Sequence, residues 1–200
     1  MADRDAQYTF PGLLEIDESF FAPSFSGKTA RGTEKELLIV AVSVWIDEGG
    51  KERSRFPHAF LADNANANTI ESILKRLGIS AEEIEPLINA IRSDGWRSYE
   101  AVTKKSGLIH YSAILRDPKD SMNLLPWAHK IIANAKALFA GPYPGVSKKH
   151  LQGYLSEVCY RLNPSFWGRE VFHRLLFACA STNTIMKDQL MSKKIGQLSQ

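Results

Sequence analysis

Two aspartates, a histidine and a lysine are the residues of this chain whose types and settings could do chemistry together. Asp17 stands inside Leu13-Leu14-Glu15-Ile16-Asp17-Glu18-Ser19-Phe20-Phe21, where apolar and polar residues alternate from Leu14 to Phe20 as in a strand. A carboxylate within a strand is costly to bury unless it is paired or binds a cation; on a polar face shared with Glu15 and Ser19 it would simply be solvated. Asp94 follows the short apolar segment from Ile88 to Ser93 and precedes Gly95. It therefore sits at the C-terminal edge of a strand, where ligands gather in α/β sheets, or acts as an ordinary helix cap. His129 flanks a helical stripe formed by Ala128, Ile131, Ile132 and Ala135, and Lys136 lies two turns further along its own side. Such a helix could hold an imidazole at a metal and an ammonium near a phosphate, although a lone helical histidine is more commonly a core or surface residue.

Two carboxylates and a third ligand are what a two-metal phosphodiester site requires. Aspartate oxygens bind Mg2+ or Mn2+, with one ion activating the attacking hydroxyl and the other stabilising the leaving oxygen. An imidazole in the third place shifts tolerance toward manganese. Charge is distributed to match a polyanion. Residues 1–100 carry a net −6 and residues 101–200 a net +9, for +3 over the 200-residue chain. The plainer reading of that bias is a solvated helical surface. Lys28 and Arg31 fall in a loop of small and basic residues after the Asp17 strand, and Lys148 and Lys149 follow a Pro-Gly break. Lysines and arginines so placed suit phosphate contacts rather than base edges. Trp96 and Trp127 read as core residues rather than as base-stacking platforms.

The elements that must position these groups follow from periodicity. After the first strand and its loop, Leu37 to Ile46 is apolar and β-branched, as expected of a central strand buried on both faces. Arg55 to Leu61 is a third strand that tolerates Pro57 near its start or at a sheet edge, making an antiparallel meander with the first two. Asn68-Thr69 can cap a helix ending at Gly78; a strand at Ile88 to Ser93, a helix at Ser98 to Ser106 and a strand at Leu108 to Leu115 come next. Helices are expected from Leu124 to Phe139, His150 to Leu162 and Arg169 to Ala180. This order describes an α/β fold, a ribonuclease-H-like mixed sheet flanked by helices with a helical C-terminal region. Hydrophobic residues at 44% and charged residues at 24% exclude a disordered chain. The longest apolar run is too short for a bilayer, and MADRDAQYTF has no apolar signal region. Cys159 and Cys179 read as buried thiols of a reducing compartment and are too few for a zinc ribbon.

At several points the sequence resembles the ISXO-like insertion-sequence transposase domain, a branch of the DDE-type superfamily. Glu15-Ile16-Asp17-Glu18-Ser19-Phe20-Phe21 is similar to its opening motif, Gly27-Lys28 and Arg31-Gly32-Thr33 to its glycine/basic loop, and Ser93-Asp94-Gly95-Trp96-Arg97-Ser98-Tyr99 to its second-Asp motif. Gly145-Val146-Ser147-Lys148-Lys149-His150-Leu151-Gln152, Tyr154 to Glu157 and Tyr160 to Asn163 resemble its C-terminal signature, and the likeness runs from about Leu13 to Ala180. The resemblance implies a ribonuclease-H-like fold, divalent metal, and DNA cleavage with strand transfer. It also implies a pattern of two aspartates, a third polar residue and a lysine seven residues on, which falls on Asp17, Asp94, His129 and Lys136. Asn134, on the same helix, competes with His129 for the third place. The expected organisation is an N-terminal extension at 1–12, a catalytic domain at 13–182 and a polar tail at 183–200. The expected setting is a bacterial cytoplasm, with transposon-end and target DNA as partners, a homo-oligomer on that DNA and no membrane. Relatives usually carry an N-terminal zinc ribbon and a DNA-binding head that this sequence does not show. The alternative expectation is therefore an inactive or truncated remnant that binds DNA.

Overall fold

The computed structural model describes residues 12–21, 35–79, 88–112, 124–143, 146–163 and 170–181. Strands β1 (Gly12–Phe21), β2 (Glu36–Ile46), β3 (Glu52–Ala62), β4 (Ile88–Ser93) and β5 (Ile109–Ser112) form one sheet in the order β3-β2-β1-β4-β5. β1, β2 and β3 make the expected antiparallel meander, while β4 runs parallel to β1 and β5 parallel to β4. Helices α1 (Ala67–Arg76), α2 (Arg97–Ser106), α3 (Pro126–Ala140), α4 (Lys148–Leu162) and α5 (Val171–Ser181) complete the described elements. A meander followed by two parallel strands in this order is the ribonuclease-H-like arrangement.

β2 shows why the sheet is covered on both sides. Its alternate residues enter two different cores. Leu37, Ile39 and Ala41 pack with Leu14, Ile16, Ile70, Ile73 and Tyr99, whereas Leu38, Val40 and Val42 pack with Ala128, Ile131, Ile132, Leu151 and Leu155. The first core is roofed by α1 and α2, the second by α3 and α4. Leu38, Ile39, Val40 and Val42 are essentially excluded from solvent. Burying each such side chain is worth about 1.5–3 kcal/mol, so β2 is the spine of the sandwich.

Local chemistry sets the element ends. Asn66, two residues before the expected cap, is the N-cap of α1 and accepts the Thr69 N–H at 2.9 Å. α2 ends on Gly107 in the left-handed conformation (φ 68°). Pro57 lies where the β2–β3 register shifts between Ala41 and Ser43, and its neighbour Phe56 takes φ 46°. A proline there is tolerated because β3 is an edge strand and the ladder is already interrupted. β5 begins at Ile109, one residue later than expected, and its expected end at Leu115 lies outside the described residues; α4 begins two residues earlier, at Lys148. Cys159 is buried as expected, but Cys179 is exposed, like every other described side chain of α5. Among the described residues no helix is long and apolar enough to cross a membrane.

Candidate active site

β1 is central in the sheet, so both of its faces are covered. Leu14 and Ile16 point into the α1/α2 core, and Glu15, Asp17 and Ser19 point to the other side, beneath α3. Helix and strand run in the same direction there. Glu15 accepts the N–H groups of Trp127 and Ala128 (3.0 and 2.9 Å), Asp17 Oδ2 lies 3.2 Å from His129 Nε2, and Lys136 Nζ donates to Ser19 Oγ at 2.7 Å. The face that alternation left open to solvent is thus closed, and Glu15 has no exposure at all.

Asp94 reaches the same place from β4. The parallel register pairs Glu15 with Arg92, which leaves Asp17 and Asp94 each two residues further along neighbouring strands. Their interaction is felt in the Asp17 carboxyl, which is pushed up to about 6, first by burial and then by the Asp94 charge; the Glu18 N–H and the Lys136 ammonium oppose it. Glu18, on the opposite face of β1, is raised to about 7 by burial, with Asp94 and Asp17 adding to the rise. Tyr99 from α2 donates to Glu18 Oε2 at 2.6 Å and offsets part of that cost. Three carboxylates therefore crowd the C-terminal ends of β1 and β4, with one imidazole and one ammonium as the nearest polar company from α3. Asp94 Oδ1 also accepts the Trp96 N–H at 3.1 Å, but Trp96, not Asp94, occupies the N-cap of α2.

The other expected residues fall elsewhere. Asn134 turns away from Asp17 and lines a cleft between α3 and α4 with Leu138, Val158 and Arg161. Lys148 and Lys149 occupy the first turn of α4 rather than a loop, and Lys148 Nζ lies 2.9 Å from Glu36 Oε1. Glu36 pairs with Phe21, four residues past Asp17, which places Lys148 about 13 Å along the strand from the carboxylates. Lys28 and Arg31 lie outside the described residues. Trp96 corrects an expectation: it is 56% exposed, because the N-cap of α2 lies past the end of the sheet that would have covered it. Trp127 is half-buried, with Lys130 over its ring.

Sequence reasoning missed Glu15, the Glu18–Tyr99 pair and His110, whose Nε2 lies 2.8 Å from Ser93 Oγ beside Asp94. The alternation of β1 gave no signal for Glu15, because the amides it accepts from, of Trp127 and Ala128, lie 112 and 113 residues away.

The donor chemistry fits a hard divalent cation. Asp17 is held at about 6 by burial and a neighbouring carboxylate, a charge conflict that a cation relieves. Among the described residues, His, Cys, Asp and Glu side chains do not gather into a closed group of three or more ligands. An open pair of carboxylates, completed by water and substrate phosphate, is the usual protein share of a magnesium site.

Sheet order, covered faces and acidic strand ends together define a ribonuclease-H-like domain with a polar site at the junction of β1, β4 and α3. The sequence model of the ISXO2-like transposase domain matches residues 10–163, and the chain belongs to that family. No curated protein matches the sequence significantly. Among solved structures, the chain is similar to the catalytic core domain of BIV integrase, with 16% identity, TM-score 0.42, and coverage of 76% of this chain and 82% of that one. It is similar to a chain of the simian T-cell lymphotropic virus intasome in complex with PP2A regulatory subunit B56 gamma, with 15% identity, TM-score 0.44, and coverage of 76% and 49%. It is also similar to a chain of the pre-cleavage Mos1 transpososome, with 14% identity, TM-score 0.49, and coverage of 88% and 57%. The chain thus spans about half the length of the intasome and transpososome chains.

Proposed function

We propose that this chain is the catalytic domain of an insertion-sequence transposase, cleaving DNA strands and joining them to a target in a reaction that depends on Mg2+ or Mn2+. The observation that carries the reading is the Asp17–His129 contact, with the Asp94 charge acting on Asp17, in a chain of the transposase domain family. Asp17 and Asp94 would hold the cations, with His129 as the third protein donor. Bound there, divalent cations supply an activated attacking hydroxyl and stabilise the leaving oxygen. Lys136, tethered to Ser19 beside Asp17, would orient a phosphate as a point charge. Lys28, Arg31, Lys148 and Lys149 would neutralise flanking phosphates, which makes binding steeply salt-dependent. The DNA partners are transposon ends and target, engaged by a homo-oligomer.

The test is nicking and strand transfer on DNA carrying the element's ends, with Mg2+ or Mn2+, for the wild type and for Asp17→Ala, Asp94→Ala and His129→Ala. Loss of both products in each folded variant is expected. A protein that binds this DNA but neither nicks nor joins it under either metal is a DNA-binding remnant. One that nicks without joining is a nuclease of the same fold.

A further inference from the structure

Asp17, Asp94 and His129 each stand just past one of three points that meet at a single buried carboxylate. Glu15 Oε2 accepts from the N–H groups of Trp127 and Ala128 at the start of α3, and Glu15 Oε1 takes the Arg92 guanidinium. Along β1, Glu15 precedes Asp17 by two residues on the same face; along β4, Arg92 precedes Asp94 by two; along α3, Ala128 immediately precedes His129. We propose that Glu15 is a positioning residue: it locks β1, β4 and α3 together one layer beneath the site and so sets the separation of Asp17 from His129.

The physical case rests on burial and on the helix end. Pro126 occupies the first helical position and has no N–H, so the amides of Trp127 and Ala128 are the ones in need of acceptors. A carboxylate there also meets the positive end of the helix dipole. Glu15 has no solvent exposure, so water cannot replace it if it is lost. Arg92 is held from its other side by Glu52 at 3.1 and 3.0 Å, which stops it from swinging away. A fully buried carboxylate that joins two strands and a helix end through three hydrogen bonds specifies an arrangement rather than adding stability.

This inference rests on the reading of His129 as part of the site, and the experiment separates the two. The full chain is labelled with 15N-histidine, and ring resonances of metal-free Glu15→Gln are compared with wild type. Mn2+ affinity is then measured in wild type, Glu15→Gln, His129→Ala and the double variant. The His129 resonances should move while those of His58, in β3, stay in place. Mn2+ affinity should fall about tenfold in Glu15→Gln, with no further loss when Glu15→Gln is added to His129→Ala. His129 resonances and Mn2+ affinity that match wild type would overturn the proposal. So would His58 resonances that move as far as those of His129, or an equal loss of affinity in both backgrounds, since either marks a general scaffold role. If His129 moves but His129→Ala leaves Mn2+ affinity unchanged, positioning by Glu15 stands and the ligand role of His129 falls. Glu15→Gln combined with Arg92→Gln leaves no uncompensated buried charge and keeps the test open if the single variant does not fold.

Discussion

Replacing Asp17 with asparagine should make the metal-free protein more stable, not less. The Asp17 carboxyl is lifted from 3.8 to about 6, first by burial and then by the charge of Asp94. The folded state therefore holds the proton more tightly than the unfolded state. Ionising Asp17 costs stability as pH rises from about 4 through about 6, and the cost is complete above that range. At about 1.4 kcal/mol per pH unit, the two-unit rise sets a ceiling of about 3 kcal/mol, and relaxation of neighbouring groups brings it toward about 1–2 kcal/mol. An asparagine side chain at this position carries no charge and escapes this cost. Asp17→Asn should thus melt about 2–8 °C higher than wild type near about pH 7.5 in EDTA, with the advantage vanishing below about pH 4. Saturating Mn2+ should reverse the ranking, because a cation at 100 times its Kd adds about 2.7 kcal/mol to the form that binds it. The assay is thermal and urea unfolding at three pH values, with and without Mn2+. A variant less stable than wild type at about pH 7.5 in EDTA, or a stability difference that does not change with pH, would refute the reasoning.

Lys136→Ala should weaken DNA binding about equally across sequences and reduce the slope of log affinity against log salt by about 1, as read by fluorescence anisotropy; an unchanged slope removes Lys136 from the phosphate contacts. His58 is held down to about 4, by burial first and Arg76 second. The unfolded chain therefore takes up its proton first, and stability should drain away by about 2–3 kcal/mol as pH falls from about 6.5 to about 4. His58→Gln should flatten that limb of the pH–stability curve, and a limb of unchanged steepness counts against the assignment. Gly12 takes φ 90°, and a Cβ there would sit 2.9 Å from the Val44 carbonyl oxygen, so Gly12→Ala should cost about 1–3 kcal/mol in urea unfolding. Tyr99→Phe removes the donor to Glu18 and should cost about 1–2 kcal/mol, again read by urea unfolding.

Periodicity was enough wherever one residue pattern answered to one surface. Ala128, Ile131, Ile132 and Ala135 make the buried stripe of α3, and that stripe alone leaves His129 at its flank. The strict alternation of β1 likewise separates Leu14 and Ile16 from Glu15, Asp17 and Ser19. What alternation does not encode is the partner that covers a face. Glu15 meets Trp127 across 112 residues, and no local pattern carries that information. Trp96 was misread for a related reason: an indole is core-like by type, and its exposure depends on where the sheet stops. Between His129 and Asn134 the sequence offered only spacing, whereas the crossing of α3 over β1 turns one toward Asp17 and the other toward α4.

The distance in sequence between β1 and α3 also orders events in time. On a ribosome the carboxylates of β1 and β4 emerge, and the five-stranded sheet can pair, before His129 and Lys136 leave the exit tunnel. Contacts of such long range close late in folding, after local structure is in place. A nascent chain, or one cut short before Pro126, would carry the acidic strand ends without the imidazole or the ammonium. Incomplete products of synthesis would therefore lack the α3 side of the polar site, which is assembled only when the third layer of the sandwich docks.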